Sequence, residues 1–135
     1  MAEMSGVYQG DLHCELSHGP SGAKISTDAP KDNMGRGEAF SPTDLVGAAL
    51  GSCILTTMAI VAHRDGVQFA GASFKVSKEM TANPRKIGAL PLHLKLPAKI
   101  PADYRKKLEQ IAVTCPVHRS LHPDVKIPIV FDWTE

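Results

Sequence analysis

Between Leu45 and Ala62 the chain reads LVGAALGSCILTTMAIVA, a run without a single charge, and this run limits the possible folds more than any other feature. Eighteen helical residues rise roughly 27 Å, slightly short of the ~30 Å hydrocarbon core of a bilayer. Gly47, Gly51, Ser52, Thr56 and Thr57 interrupt the run, and neither end carries Trp or Tyr as an interfacial anchor. It therefore reads as a core helix, and a helix apolar on every side must be buried on every side. Gly47-x-x-x-Gly51, with Ala48 and Ser52 beside it, forms a stripe of small residues that would let a second helix approach closely. The reading preferred here is a two-fold dimer with two such helices packed together; the alternative places the glycines against the domain's own sheet.

The flanking segments supply that sheet. Residues 5 to 17 and 22 to 27 read as two strands joined by the turn His18-Gly19-Pro20-Ser21-Gly22, and residues 28 to 40 read as a loop rich in Gly and Pro. Ser41-Pro42 starts the long helix, with Ser as N-cap, Pro at N1 and Asp44 at N3, and Asp65-Gly66 ends it. Residues 72 to 79 and 87 to 96 alternate as strands around the turn Asn83-Pro84-Arg85, the second placing Leu90, Leu92, Leu94 and Leu96 on one face. Pro91 marks an edge or bulge there. Pro101 opens a helix with Tyr104, Leu108, Ile111 and Ala112 on one side. Cys115-Pro116 opens a shorter helix to about Leu121, and Val125 to Trp133 is a last strand. The order ββ-α-ββ-α-α-β predicts an α+β fold in a single domain spanning residues 1 to 135.

Composition narrows the function classes. Fifteen basic and 14 acidic residues are mixed along the chain, giving a net charge of +1, whereas nucleic-acid binding needs a concentrated basic face. Arg105-Lys106-Lys107 reads as the solvated side of a helix. No secretory signal is visible at the start, so a cytoplasmic setting is expected, where cysteines stay reduced unless chemistry oxidises them. Of the three cysteines, Cys14 reads as a small apolar filler sharing a strand face with Leu12 and Leu16.

Cys53 and Cys115 carry the chemistry. Cys53 sits in mid-helix, beyond the reach of the helix dipole, so a reactive thiolate there needs a cation from elsewhere. Arg36, between Gly35 and Gly37, is the best candidate, and Glu38 could orient its guanidinium. Cys115 is expected as N-cap of its helix, where free N–H groups favour a thiolate. Cys115, His118 and His122 have zinc-like spacing, with Cys53, Cys14 or His13 as the missing ligand, but this is half a site, and no metal or cofactor is expected.

Two separated segments, SPTDLVGAALGSC (Ser41 to Cys53) and TCPVHRSL (Thr114 to Leu121), resemble the OsmC/Ohr family of thiol peroxidases, and the order of elements agrees over almost the whole chain. The resemblance implies an intertwined homodimer, with long central helices wrapped by antiparallel sheets; from the composition and the apolar run, neither nucleic acid nor a membrane is expected as a partner. It implies that Cys53 attacks an organic hydroperoxide, that Cys115 resolves the sulfenate as a Cys53–Cys115 disulfide, and that Arg36 with Glu38 activates the first thiol. A dithiol such as dihydrolipoamide or thioredoxin would recycle it, and the apolar neighbours Leu50, Ile54 and Phe40 would favour alkyl hydroperoxides. In the organic-hydroperoxide-resistance branch a glutamate follows the helix-start proline and an arginine lies near the N-terminus. Here Thr43 holds that position and no arginine precedes Arg36, so the chain looks closer to the broader OsmC-like branch. The alternative from another class is a non-catalytic ligand-binding protein whose cysteines are inert or sense redox state.

Overall fold

Ser41 and Asp44 satisfy each other across the first turn of the long helix. The Ser41 N–H donates to Asp44 Oδ2 at 2.9 Å and the Asp44 N–H donates to Ser41 Oγ at 3.1 Å, a capping box that fixes the start of α1 (Pro42–Arg64). The far end closes as a Schellman motif. Gly66, at φ +70°, lets the Val67 N–H reach the Ala62 carbonyl at 2.8 Å while its own N–H reaches that of His63 at 3.1 Å. Both ends fall where the sequence puts them, because each is set by residues within one turn.

The computed structural model describes all residues from Met1 to Glu135. The chain forms two compact units, Met1–Val46 and Gly47–Glu135, whose boundary lies in the first turns of α1. The N-terminal unit is an antiparallel sheet ordered β1 (Met4–Tyr8), β2 (His13–His18), β3 (Lys24–Asp28). The strand expected over residues 5 to 17 is thus two strands. Gly10, Asp11 and Leu12 all take positive φ, and the Gln9 N–H bonds the His13 carbonyl at 2.9 Å to close a hairpin. Leu12 therefore belongs to a turn and shares no strand face with Cys14, which is half-buried on β2 beside Leu16. After β3 the chain makes a 3₁₀ turn, Lys31–Asn33, inside the loop that leads to α1.

In the C-terminal unit β7 (Leu92–Lys95) is the central strand, with β4 (Ser73–Val76) antiparallel on one side and β8 (Ile129–Asp132) parallel on the other. A separate hairpin pairs β5 (Glu79–Thr81) with β6 (Lys86–Ala89). Pro91, which has no N–H to give a ladder, breaks the expected 87–96 strand into β6 and β7. The leucine alternation survives the break: Leu90, Leu92, Leu94 and Leu96 are all buried. α2 (Ala102–Ala112) adds Leu108 and Ala112 to the same core, and α3 (Pro116–Ser120) follows. The α+β fold expected from the order of elements is present, with β8 as the one parallel addition.

α1 is long and apolar enough to cross a bilayer, with a mean hydropathy of 2.1, yet one face is occupied by protein. Gly47, Leu50, Gly51, Ile54, Met58 and Ala62 are buried, whereas Ala49, Ser52, Thr56 and Ile60 are exposed. This corrects the reading of the small-residue stripe. A Cβ on Gly51 would lie 2.3 Å from the Phe74 ring of β4, and one on Gly47 would meet Leu90 and Val76, so both glycines face the unit's own sheet. Within one chain the helix is covered on one side.

The two glycines should respond differently to alanine. Gly51→Ala forces the Phe74 ring to move, and the overpacking cost of about 1–3 kcal/mol should exceed the gain of about 1 kcal/mol in helix propensity. Gly47→Ala meets Leu90 at an acceptable 3.4 Å and should leave stability unchanged or raise it by up to about 1 kcal/mol. Thermal denaturation of the two variants checks the order.

Candidate functional site

Two thiols are placed by unrelated local devices. Cys53 lies midway along α1 and is half-buried, with fully buried Leu50 and Ile54 on adjacent turns. Those two side chains build the core beneath the cysteine, so the expectation that they offer an apolar surface to a substrate does not hold; Phe40 is 55% exposed. Cys115 is delivered by the end of α2. Thr114 donates from its N–H and its Oγ1 to the Ile111 carbonyl at 2.9 and 2.7 Å, stopping that helix, and Pro116 at N1 starts α3. Cys115 is then the N-cap, its Sγ accepting from the His118 N–H at 3.2 Å.

The fold brings the two together. Cys53 lies close enough to Cys115 to act on its thiol, and all three cysteines of the chain are unbridged. Burial pushes the Cys115 thiol up from its usual 9.0, the neighbouring Cys53 pushes the same way, and the His118 and Val117 N–H groups pull against them. The N-cap geometry is as expected, but its electrostatic consequence is reversed. A fully buried sulfur loses more hydration on ionising than two N–H groups return. Cys115 is a protonated thiol at neutral pH, able to donate to the sulfur of Cys53. One thiol is partly open to solvent and holds a donor beside it, while the other is enclosed, uncharged and adjacent.

Arg36 and Glu38 belong to the N-terminal unit and are paired there, Arg36 Nε lying 3.5 Å from Glu38 Oε1. Sequence reasoning missed their organiser. Asp28, 2% exposed at the end of β3, accepts from the Glu38 N–H at 3.0 Å, faces Arg36 Nη2 at 3.9 Å and binds His13 Nδ1 at 2.5 Å. The His13 hydrogen bond, the Glu38 N–H and the charges of His13 and Arg36 hold the Asp28 carboxyl below the usual range against the opposing effect of burial. An ionised carboxylate can only accept, so His13 Nδ1 carries the proton. The one sequence signal was an aspartate at a strand end, which reads as an ordinary turn residue. Thr43 Oγ1 lies 3.2 Å from Ser41 Oγ, and Asp44 serves the helix cap.

The half zinc site is not completed. α3 ends at Ser120, so His118 and His122 do not share a helix face, and His122 Nδ1 accepts from the Asp124 N–H at 3.0 Å. No three His, Cys, Asp or Glu side chains converge where they could hold a metal ion.

The raised Cys115 value has a consequence for stability with a definite sign. Folding favours the protonated thiol, so its contribution is complete below the unfolded value near 9.0 and is lost as pH rises through the folded one. Tyr104, pushed up to about 12 by burial and by Asp65, acts in the same direction at higher pH, so the variant comparison isolates the thiol. Denaturant midpoints from about pH 8 to about pH 11 should fall more steeply for the wild type than for Cys115→Ala. Equal slopes would contradict the assignment.

The chain matches a known family over most of its length. The family model described as OsmC-like protein matches residues 35–130. No curated protein matches the chain. Among solved structures, a Psychrobacter arcticus protein provisionally named for osmotic-stress induction and a detoxification response is 38% identical, with 97% of this chain and 96% of that one covered at a TM-score of 0.92. An OsmC-like protein from Mycoplasma pneumoniae is similar at 18% identity, TM-score 0.81, covering 97% and 95%. The organic hydroperoxide resistance protein OsmC from Legionella pneumophila is similar at 16% identity, TM-score 0.78, covering 98% and 96%; at such identities the likeness is one of fold. With most of its length matched by the family model and a close relative over nearly all of it, the chain belongs to the OsmC-like family.

Proposed function

We propose that the protein is a thiol-dependent peroxidase that reduces organic hydroperoxides to alcohols. The observation that carries this reading is the nearness of two unbridged thiols of unequal exposure. The Cys53 thiolate attacks the distal peroxide oxygen, the O–O bond breaks, and the alkoxide leaves with a proton as the alcohol. Cys53 is then a sulfenic acid. The Cys115 sulfur attacks it, releasing water and forming the Cys53–Cys115 disulfide. An external dithiol, such as dihydrolipoamide or thioredoxin, reduces the disulfide by exchange and is itself oxidised. Arg36, oriented by Glu38, is proposed as the cation that serves the Cys53 thiolate and the charge developing on the peroxide. The substrate class is supported by the Legionella relative, which is named for organic hydroperoxide resistance.

The working unit is proposed to be a cytoplasmic homodimer. The exposed stripe Ala49, Ser52, Thr56 and Ile60 supports it, because small side chains allow close helix approach and Ile60 is 48% exposed. Light scattering should give twice the 14.5 kDa of one chain, and Thr56→Arg, which places a charge on that stripe, should give monomers.

Reduced protein mixed with cumene hydroperoxide should consume it and yield a Cys53–Cys115 disulfide by mass spectrometry. Cys53→Ser should reduce consumption to the background of the reductant alone. Cys115→Ser should complete one turnover and stop at a Cys53 sulfenate. Consumption unchanged in Cys53→Ser would sink the role.

A further inference from the structure

We infer that Asp28, held by His13, is a positioning residue that keeps Arg36 and Glu38 paired and aimed; this rests on the proposed role of Arg36 in the peroxidase reaction. The loop that carries the pair is tied to Asp28 at several points. The Asp28 N–H donates to the Phe40 carbonyl at 3.1 Å, and its Oδ2 accepts from the Glu38 N–H at 3.0 Å, so one residue fixes the far end of the loop through both main chain and side chain. Between those points the loop folds back on itself. The Gly35 N–H reaches the Pro30 carbonyl at 2.9 Å and the Gly37 N–H reaches that of Ala29 at 3.2 Å. A Cβ on Gly35 would lie 1.7 Å from the Ala29 carbonyl oxygen, which explains a glycine immediately before the arginine.

The guanidinium itself is held differently from the loop. Its contacts with Glu38 and Asp28, at 3.5 and 3.9 Å, are ion pairs rather than tight hydrogen bonds, and the side chain is 51% exposed. Charge on two carboxylates therefore sets its direction, and only one of those carboxylates is rigid. Glu38 is 69% exposed, whereas Asp28 is enclosed and has three partners. His13 matters because it occupies Asp28 Oδ1 at 2.5 Å from the neighbouring strand, fixing the carboxylate plane against the sheet. Arg36 also lines an open depression of about 500 Å³ with Asp11, Leu12 and Met34, so it can be re-aimed without displacing a packed neighbour. Removing Asp28 would leave Arg36 tethered only to a mobile carboxylate in water, where such pairs hold little geometry.

The test uses full-length ¹⁵N-labelled protein, with the Arg36 side-chain Nε–H signal identified as the one lost in Arg36→Lys. In the wild type that signal should be displaced from the position of a free arginine, and in Asp28→Ala it should move toward that position as the Glu38 pair loosens. The rate of Cys53 oxidation by cumene hydroperoxide in Asp28→Ala should fall to within about threefold of that in Arg36→Ala, and Asp28→Ala/Arg36→Ala should be no slower than Arg36→Ala alone. Asp28→Asn keeps the shape and an acceptor for the Glu38 N–H, so hydrogen exchange at Glu38 should stay slow while the Arg36 signal still moves. This separates charge from loop structure and covers a failure of the alanine variant to fold. An Arg36 signal unmoved in both variants, or losses that multiply in the double variant, would overturn the inference. A wild type that leaves cumene hydroperoxide intact would remove the peroxidase reading, while the Arg36 signal would still decide whether Asp28 aims the arginine.

Discussion

The ring of Phe74 rests where a side chain on residue 51 would be, and this contact sets how closely α1 approaches its sheet. The helix has no charged residue over its middle and little amphipathic contrast, so orientation cannot come from a polar face seeking water. Shape decides instead. Two glycines one turn apart open a groove for the sheet's side chains, and Leu50, Ile54, Met58 and Ala62 continue the buried line. Once that face is chosen, Cys53 must lie to its side, half-buried, and Ser52 and Thr56 must face out. The position of the first thiol is thus a consequence of helix packing.

The second thiol shows how burial and hydrogen bonding oppose each other at one atom. As an N-cap, Cys115 has amide donors aimed at its sulfur, a setting that on an open surface would favour ionisation. Enclosure in the core reverses the balance. The result is an unequal pair: one thiol accessible to a reagent, the other neutral, protected and beside the first. In the peroxidase reading that inequality divides the roles. A neutral resolving thiol escapes direct oxidation, yet is adjacent when a sulfenate forms.

The N-terminal unit contributes polar geometry of another kind. Asp28 is buried, ionised and satisfied by a histidine on the neighbouring strand and by the loop it closes. Buried carboxylates with a full set of partners are costly to disrupt, and their partners become fixed with them. The Arg36–Glu38 pair is anchored to that fixed point while remaining half exposed.

The chain's own residues determined whatever is settled within about one turn of backbone. The capping box of Ser41 and Asp44, the Gly66 stop, Cys115 with Pro116 as a helix entry and the alternating leucines of the central strand were all legible, because both partners lie close in sequence. The pairing of Arg36 with Glu38, two residues apart, was legible for the same reason. Contacts between distant segments were not. The side of α1 chosen by Gly47 and Gly51, the parallel docking of β8 on β7, the carboxylate of Asp28 beside His13 and the net direction of the Cys115 shift each depend on atoms far along the chain. A pattern of small and apolar residues states that a face will be buried, but it does not name the partner. Only the tertiary structure, by placing Phe74 against Gly51 and Cys115 against Cys53, decided that.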